Sequence, residues 1–280
     1  MASPTPNSLP SLSIDPTAPH QHTHTVVFLH GRGDTARDFA ATVGSLPDSR
    51  GRRLGNVFPT FRWVFPQAPT RSLAADPRTS WPQWFDVWNT RDSSDNEALQ
   101  APGLRESVPL VRDILAAEAA RLGGRWDRVV LAGISMGAAT GAHVLLNLDV
   151  PAQGGRRLGA FLGFSCRCPF VGRSLEEMRQ VLGIADGVPE HSEVVCRTPV
   201  LLEHCVDDPL VLLRNGHGMR ETLRGFGAQV EWREYPSGGH WFNAPAGVDD
   251  AIAFLTEHVL ETPAMLGMPL RRCRKLRPTP

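Results

Sequence analysis

A chain of 280 residues with zero formal net charge and 41% hydrophobic residues has the length and apolar content of one large α/β unit. That balance lacks the basic excess on which a general nucleic-acid binder relies, so nucleic acid is not an expected partner. Five cysteines, odd in number and irregularly spaced, and an N-terminus without the basic-then-apolar layout of a signal peptide lead us to expect free thiols and a cytoplasmic setting.

Residues 1–24 carry Pro4, Pro6, Pro10, Pro16 and Pro19 among serines and threonines, the composition of a disordered leader. His20, His22 and His24 alternate there, but with no carboxylate or cysteine beside them no metal site is expected. Thr25–Leu29 is a buried strand that runs into His30-Gly31-Arg32-Gly33-Asp34, and a helical pattern follows from Thr35 to about Leu46. Such a glycine-bracketed loop at a strand's carboxyl end has two readings. The Arg32 N–H is an oxyanion donor, or the segment is an ordinary strand-to-helix turn with Asp34 as N-cap. Phe61–Phe65 is the next strand, ending at Pro66-Gln67-Ala68-Pro69. A long loop then holds Trp81, Trp84, Phe85 and Trp88, which are read as a mixture of groove lining and core roof, with Trp81 and Trp84 the better candidates for an apolar groove. Between Asp95 and Leu122, Leu104, Val108, Val111 and Leu115 recur at helical spacing and predict a helix covering the sheet.

The stretch from Arg128 to Leu148 organises the rest. Val129-Val130-Leu131-Ala132 reads as a strand, Gly133-Ile134-Ser135-Met136-Gly137 as a tight turn, and the small and leucine-rich residues through Leu148 as a helix. In a G-x-S-x-G turn the serine sits at the tip in strained backbone geometry, and the flanking glycines let strand and helix pass close to it. The Met136 N–H then points to where a carbonyl oxygen would sit at a helix N-terminus. The near absence of charge is also that of a short membrane span. Three glycines, Ser135 and His143 interrupt it, however, and Arg128 and Asp149 bracket it.

Leu158–Phe164 is strand-like. Ser165–Thr198 offers one amphipathic helix near Leu175–Leu182, with Phe170 as a candidate pocket cap. Pro199–Glu203 is a strand leading to His204-Cys205-Val206-Asp207-Asp208-Pro209, followed by a helix from about Leu212 to Phe226 and the strand Gln229–Tyr235. The loop Pro236-Ser237-Gly238-Gly239-His240-Trp241-Phe242 precedes a last helix, Asp249–Leu260. Residues 261–280 form a basic tail with Arg271, Arg272, Arg274, Lys275 and Arg277, expected to be solvated or to hold weakly to an anionic membrane surface. Alternating strands and helices predict a mostly parallel sheet covered by helices on both faces, over 25–260, with the candidate loops at one sheet edge.

A serine hydroxyl becomes a useful nucleophile when a base takes its proton and a carboxylate fixes that base's tautomer. Ser135, Asp208 and His240 fall in the chain order Ser, acid, His, separated as sheet hydrolases require. Spacing alone leaves Asp207 as a second candidate acid. Of the ten histidines, His240 alone combines a Gly-Gly loop, a preceding strand and that position.

Five segments together resemble the acyl-protein thioesterase / lysophospholipase / carboxylesterase family of small α/β-hydrolases. They are Phe28-Leu29-His30-Gly31-Arg32-Gly33-Asp34, Phe65-Pro66-Gln67-Ala68-Pro69, Trp84-Phe85-Asp86, Gly133-Ile134-Ser135-Met136-Gly137 and Asp208-Pro209-Leu210-Val211. The resemblance implies an α/β-hydrolase fold, Ser135 as nucleophile, Asp208 as acid, His240 as base, and Arg32 and Met136 as backbone oxyanion donors, with no cofactor or metal. It also implies an acyl ester or thioester substrate (small molecule, lipid or acylated protein) and a monomer or weak homodimer. Leu210 and Trp241 join Trp81, Trp84 and Phe170 as substrate-binding candidates, the bulk of Trp241 being expected to shorten an acyl channel. The rival readings are a small-molecule carboxylesterase for a short acyl ester and a non-catalytic binding module on the same fold.

Overall fold

The computed structural model describes residues 9–189 and 191–261. The first eight residues of the expected leader and the basic tail from 262 onward lie outside them. The strands are β1 (Ser11–Ile14), β2 (His24–Leu29), β3 (Phe61–Pro66), β4 (Thr70–Leu73), β5 (Asp76–Pro82), β6 (Val129–Ile134), β7 (Ala160–Phe164), β8 (Pro199–Cys205) and β9 (Gln229–Tyr235). The helices are α1 (Ala36–Ser45), α2 (Leu54–Val57), α3 (Gln100–Arg121), α4 (Met136–Leu146), α5 (Leu175–Leu182), α6 (Glu193–Arg197), α7 (Leu213–Gly225) and α8 (Ala246–Leu255). Seven strands form one sheet in the order β1-β3-β2-β6-β7-β8-β9, and every neighbouring pair is parallel except β1 with β3.

The sheet is buried on both faces because its strands are apolar at every position rather than at alternate ones. Along β2, Val27 and Leu29 face a core shared with α3, α4, α5 and α7, while Val26 and Phe28 face a second core shared with α1 and α8. Strand β6 divides in the same way, Leu131 to the first core and Val130 and Ala132 to the second, as the two-residue period of a strand dictates. The helical positions Leu104, Val108, Val111 and Leu115 of α3 are all fully buried, and each such side chain contributes roughly 1.5–3 kcal/mol. Every residue of α4 is buried, which accounts for its missing charges without a membrane. No helix among the described residues is long and apolar enough to cross one.

The leader departs from expectation from residue 9 onward. Composition argued for disorder, yet Ser11–Ile14 adds an antiparallel strand to the β3 edge, in register from Ser11 with Pro66 to Ile14 with Trp63. The Gln67 N–H donates to the Pro10 carbonyl at 2.8 Å, and Arg62 gathers Asp15, the Ser13 hydroxyl and Glu118. Backbone pairing with an unfilled sheet edge asks little of side-chain composition, so Leu12 and Ile14 remain exposed. His22 and His24 are engaged locally, each with a threonine hydroxyl, at 2.8 Å to Thr25 and 2.9 Å to Thr23. The long loop after Pro69 also carries structure of its own, the β4–β5 hairpin, which holds Trp81 opposite Arg71.

Candidate active site

Ser135 lies between β6 and α4 with φ 54° and ψ −121°, a positive φ that a non-glycine residue adopts only under constraint. Two backbone bonds impose it: Ser135 N–H donates to the Phe164 carbonyl at 2.9 Å, and the Ser135 carbonyl accepts from Ala139 N–H at 3.0 Å. Close passage does the rest. A Cβ on Gly137 would stand 2.3 Å from the Leu29 carbonyl oxygen, and one on Gly133 would stand 2.6 Å from the Ala138 nitrogen. In both cases the obstacle is backbone, which cannot swing aside as a side chain can. Gly137→Ala is therefore expected to destabilise the fold by about 3 kcal/mol, the upper end of an overpacking penalty. An unchanged urea midpoint in that variant would contradict the close packing of α4 on β2.

Three loops converge on Ser135. His240 Nε2 lies 2.9 Å from Ser135 Oγ, and His240 Nδ1 lies 2.8 Å from Asp208 Oδ2. With the Nδ1–H donating to Asp208, Nε2 keeps a lone pair for the serine proton. Asp208 is buried. Its other oxygen, Oδ1, accepts from the Leu210 and Val211 N–H groups, each at 2.9 Å. Burial by itself would raise the Asp208 carboxyl, but the bonds from His240, Val211 and Leu210 outweigh it and hold the group below its ordinary range. Asp207 takes a different position: it accepts from Gly239 N–H at 2.8 Å and from Gly238 N–H at 3.3 Å, bracing the loop that carries His240. The choice between adjacent carboxylates, open on spacing alone, is thus decided by which one faces the imidazole.

The loop carrying Arg32 is held from below by His30. Its ring sits 2.7 Å from the Gly31 carbonyl through Nδ1 and accepts from Ala68 N–H at 3.0 Å through Nε2, and burial keeps it neutral. Trp84 Nε1 donates to the His30 carbonyl at 2.8 Å, Gln67 Oε1 receives Ala36 N–H at 2.8 Å, and Gly33 N–H donates to the Pro82 carbonyl at 2.8 Å. The N-cap of α1 is Thr35 rather than Asp34; the Thr35 hydroxyl receives Asp38 N–H, and Asp34 Oδ1 only receives Thr35 N–H. One residue's difference arises because the chain turns at Gly33, with φ 82°, before helical geometry begins. Neither Arg32 N–H nor Met136 N–H is taken by an acceptor among the described residues, so both can serve a substrate oxygen. The Arg32 side chain is pinned aside, 2.8 Å from Gln83 Oε1, 3.6 Å from Asp86 Oδ1 and stacked on Trp81.

A cavity of about 380 Å³ opens over Ser135 and His240. Trp81, Leu210 and Trp241 line it and are partly exposed at its rim. Trp84 and Phe170 do not line it. Trp84 is wholly buried because its indole N–H finds its partner under the Gly31 loop, leaving the ring in the core. Phe170 is turned inward with φ 63°, its N–H bonded to Glu97 Oε1 at 2.7 Å and its ring against His143. Val87, Thr90 and Arg167 also line it and were absent from the sequence-based candidates. Cys166 and Cys168 are free thiols packed in the core, and burial pushes Cys168 up to about 12.

Comparison with known proteins agrees with this architecture. A family model described as Phospholipase/Carboxylesterase matches residues 14–259. Acyl-protein thioesterase 1 of Gibberella zeae is 28% identical over 246 residues, 86% of this chain and 93% of that protein. Acyl-protein thioesterase 1 of Cryptococcus neoformans var. neoformans is 31% identical over 213 residues, 75% of this chain and 76% of that one. The crystal structure of Zea mays acyl-protein thioesterase 2, 24% identical, superimposes with a TM-score of 0.67 over 89% of this chain and 99% of its own, and so shares the fold. The chain belongs to the phospholipase/carboxylesterase family of α/β-hydrolases and is a hydrolase of carboxylic ester or thioester bonds.

Proposed function

We propose that hydrolysis proceeds through an acyl-enzyme on Ser135. His240 takes the hydroxyl proton as Ser135 attacks the carbonyl and returns it to the leaving alcohol or thiol; water then repeats the sequence to free the acid. Asp208 holds the imidazole tautomer and steadies its positive charge. The Arg32 and Met136 N–H groups receive the tetrahedral oxyanion. The single observation carrying this reading is the unbroken hydrogen-bond run from Ser135 Oγ through His240 to Asp208, at 2.9 and 2.8 Å. All these groups come from one chain, which supports a monomer or weak homodimer as the working unit. A cytoplasmic location is proposed on the cysteine usage.

The size of the cavity favours short acyl groups on small-molecule esters over long chains. A volume of about 380 Å³ is near the lower end of ligand pockets, and Trp81 and Trp241 narrow its mouth. A series of matched esters and thioesters from butyryl to palmitoyl tests both points. Turnover is expected for both bond types, with kcat/KM falling about tenfold or more towards the long chains. Fastest turnover of palmitoyl substrates would overturn the short-chain reading. Folded protein that neither turns over any ester nor labels with a fluorophosphonate would favour a binding module instead.

A further inference from the structure

Arg167 is a buried cation that the mechanism above does not use. It lies three residues past β7, the strand whose last carbonyl, at Phe164, receives the Ser135 N–H. It forms part of the wall of the cavity over Ser135 and is only 9% exposed. Its Nη2 donates to Gln100 Oε1 at 2.8 Å, and its guanidinium lies over the Phe85 ring at 5.7 Å. Its Nη1 is shut off from solvent and has no hydrogen-bond partner among the described residues. No ion pair is formed among the described residues either. Glu97, whose charge acts on Arg167, is committed to Phe170 N–H at 2.7 Å and to Arg173 at 3.9 Å. The acid that lines the same cavity, Asp34, is engaged by the Thr35 N–H. Gln100 is neutral and itself held by the Ser93 carbonyl at 2.9 Å, so it orients the guanidinium without balancing its charge.

A buried cation with no direct ion-pair partner is unfavourable unless an anion reaches it, and arginine's planar fork is suited to a carboxylate. Resting on the hydrolase reading above, we propose that Arg167 is a substrate anchor: the preferred ester or thioester carries a second, ionised carboxylate that docks on its guanidinium while the scissile carbonyl sits at Ser135. That carboxylate belongs either to the acyl chain, as in a half-ester of a short dicarboxylic acid, or to the leaving group.

Two matched pairs separate the sources. The acyl arm compares mono-p-nitrophenyl glutarate with p-nitrophenyl pentanoate; the leaving-group arm compares the butyrate esters of glycolic acid and of glycolamide. We expect the charged member of one pair to be preferred about tenfold in kcat/KM, the size of one charge-assisted hydrogen bond. The arm that shows the preference identifies where the carboxylate resides. Arg167→Gln should abolish the preference and Arg167→Lys should restore part of it. No preference in either arm, or one that persists in Arg167→Gln, overturns the proposal. Should the variants fail to fold, wild-type protein still decides: pentanoate must inhibit hydrolysis of the neutral ester at lower concentration than the uncharged, isosteric pentanamide, and equal inhibition refutes the anchor. Wild type that cleaves none of the four esters and does not label with a fluorophosphonate would count against the acyl-enzyme reading separately. Calorimetry then asks whether pentanoate binds more tightly than pentanamide, and equal affinity sinks the anchor as well.

Discussion

Ser135→Ala is expected to lower kcat by about 10⁴-fold or more on any ester the wild type cleaves. Removing the hydroxyl eliminates the atom that His240 Nε2 meets at 2.9 Å and with it the proposed acyl-enzyme route. Residual turnover would then come from water held near the oxyanion donors, which persist because Arg32 and Met136 contribute backbone rather than side chain. The substitution should leave the fold intact, since the hydroxyl makes no bond that holds the elbow; the bonds to Phe164 and Ala139 are backbone. A burst of p-nitrophenol with wild type and none with the variant gives a second readout. Turnover within tenfold of wild type, in folded protein, would rule out Ser135 as nucleophile.

Asp208→Asn should reduce kcat by a comparable factor, about 10⁴. An amide at this position must satisfy the Leu210 and Val211 N–H groups with its one oxygen, which turns its NH₂ towards His240. The ring would then accept at Nδ1 and carry its proton at Nε2, where the serine proton has to go. The shape is preserved while the tautomer is wrong, so the drop should appear without loss of cooperative unfolding. In the wild type, the carboxyl held below its ordinary range contributes stability that is present above the unfolded value of about 3.9 and is lost as pH falls through the folded one. Asp208 therefore stays ionised down through the ordinary carboxylate range. A variant retaining most of its kcat would transfer the acid's role elsewhere, with Asp207 the neighbour to test.

How far the sequence was legible varies with the range of the interactions involved. Val129–Ile134 and the glycine-serine turn were readable because strand, elbow and helix are contiguous and their constraints local. Helix α5 and strand β9 were readable at their full bounds for the same reason, since Leu175–Leu182 carries its own capping box and helical pattern. Strand β1 was not, because a Ser/Pro-rich segment acquires its structure from the free edge of β3, fifty residues away. Trp84 and Phe170 were misplaced by an equally non-local cause. An aromatic in a loop looks like groove lining until one sees that His30 and Glu97 hold its backbone or ring inward. Trp84-Phe85-Asp86 was visible as a segment, but the restraint that Gln83 and Asp86 place on Arg32 was not.

By itself, the order of residues determined the succession of strands and helices, the serine elbow with its two glycines, and the rank Ser, acid, His along the chain. These follow from hydrophobic periodicity and backbone sterics, which act within a few residues. Tertiary structure alone decided that Asp208 faces the imidazole while Asp207 braces its loop, and that Trp81, Leu210 and Trp241 surround the opening. It alone also left the Arg167 guanidinium in the cavity wall without an ion-pair partner among the described residues. Those outcomes depend on which loops meet at the carboxyl edge of the sheet, and no local pattern encodes the distance between groups that the chain brings together from opposite ends.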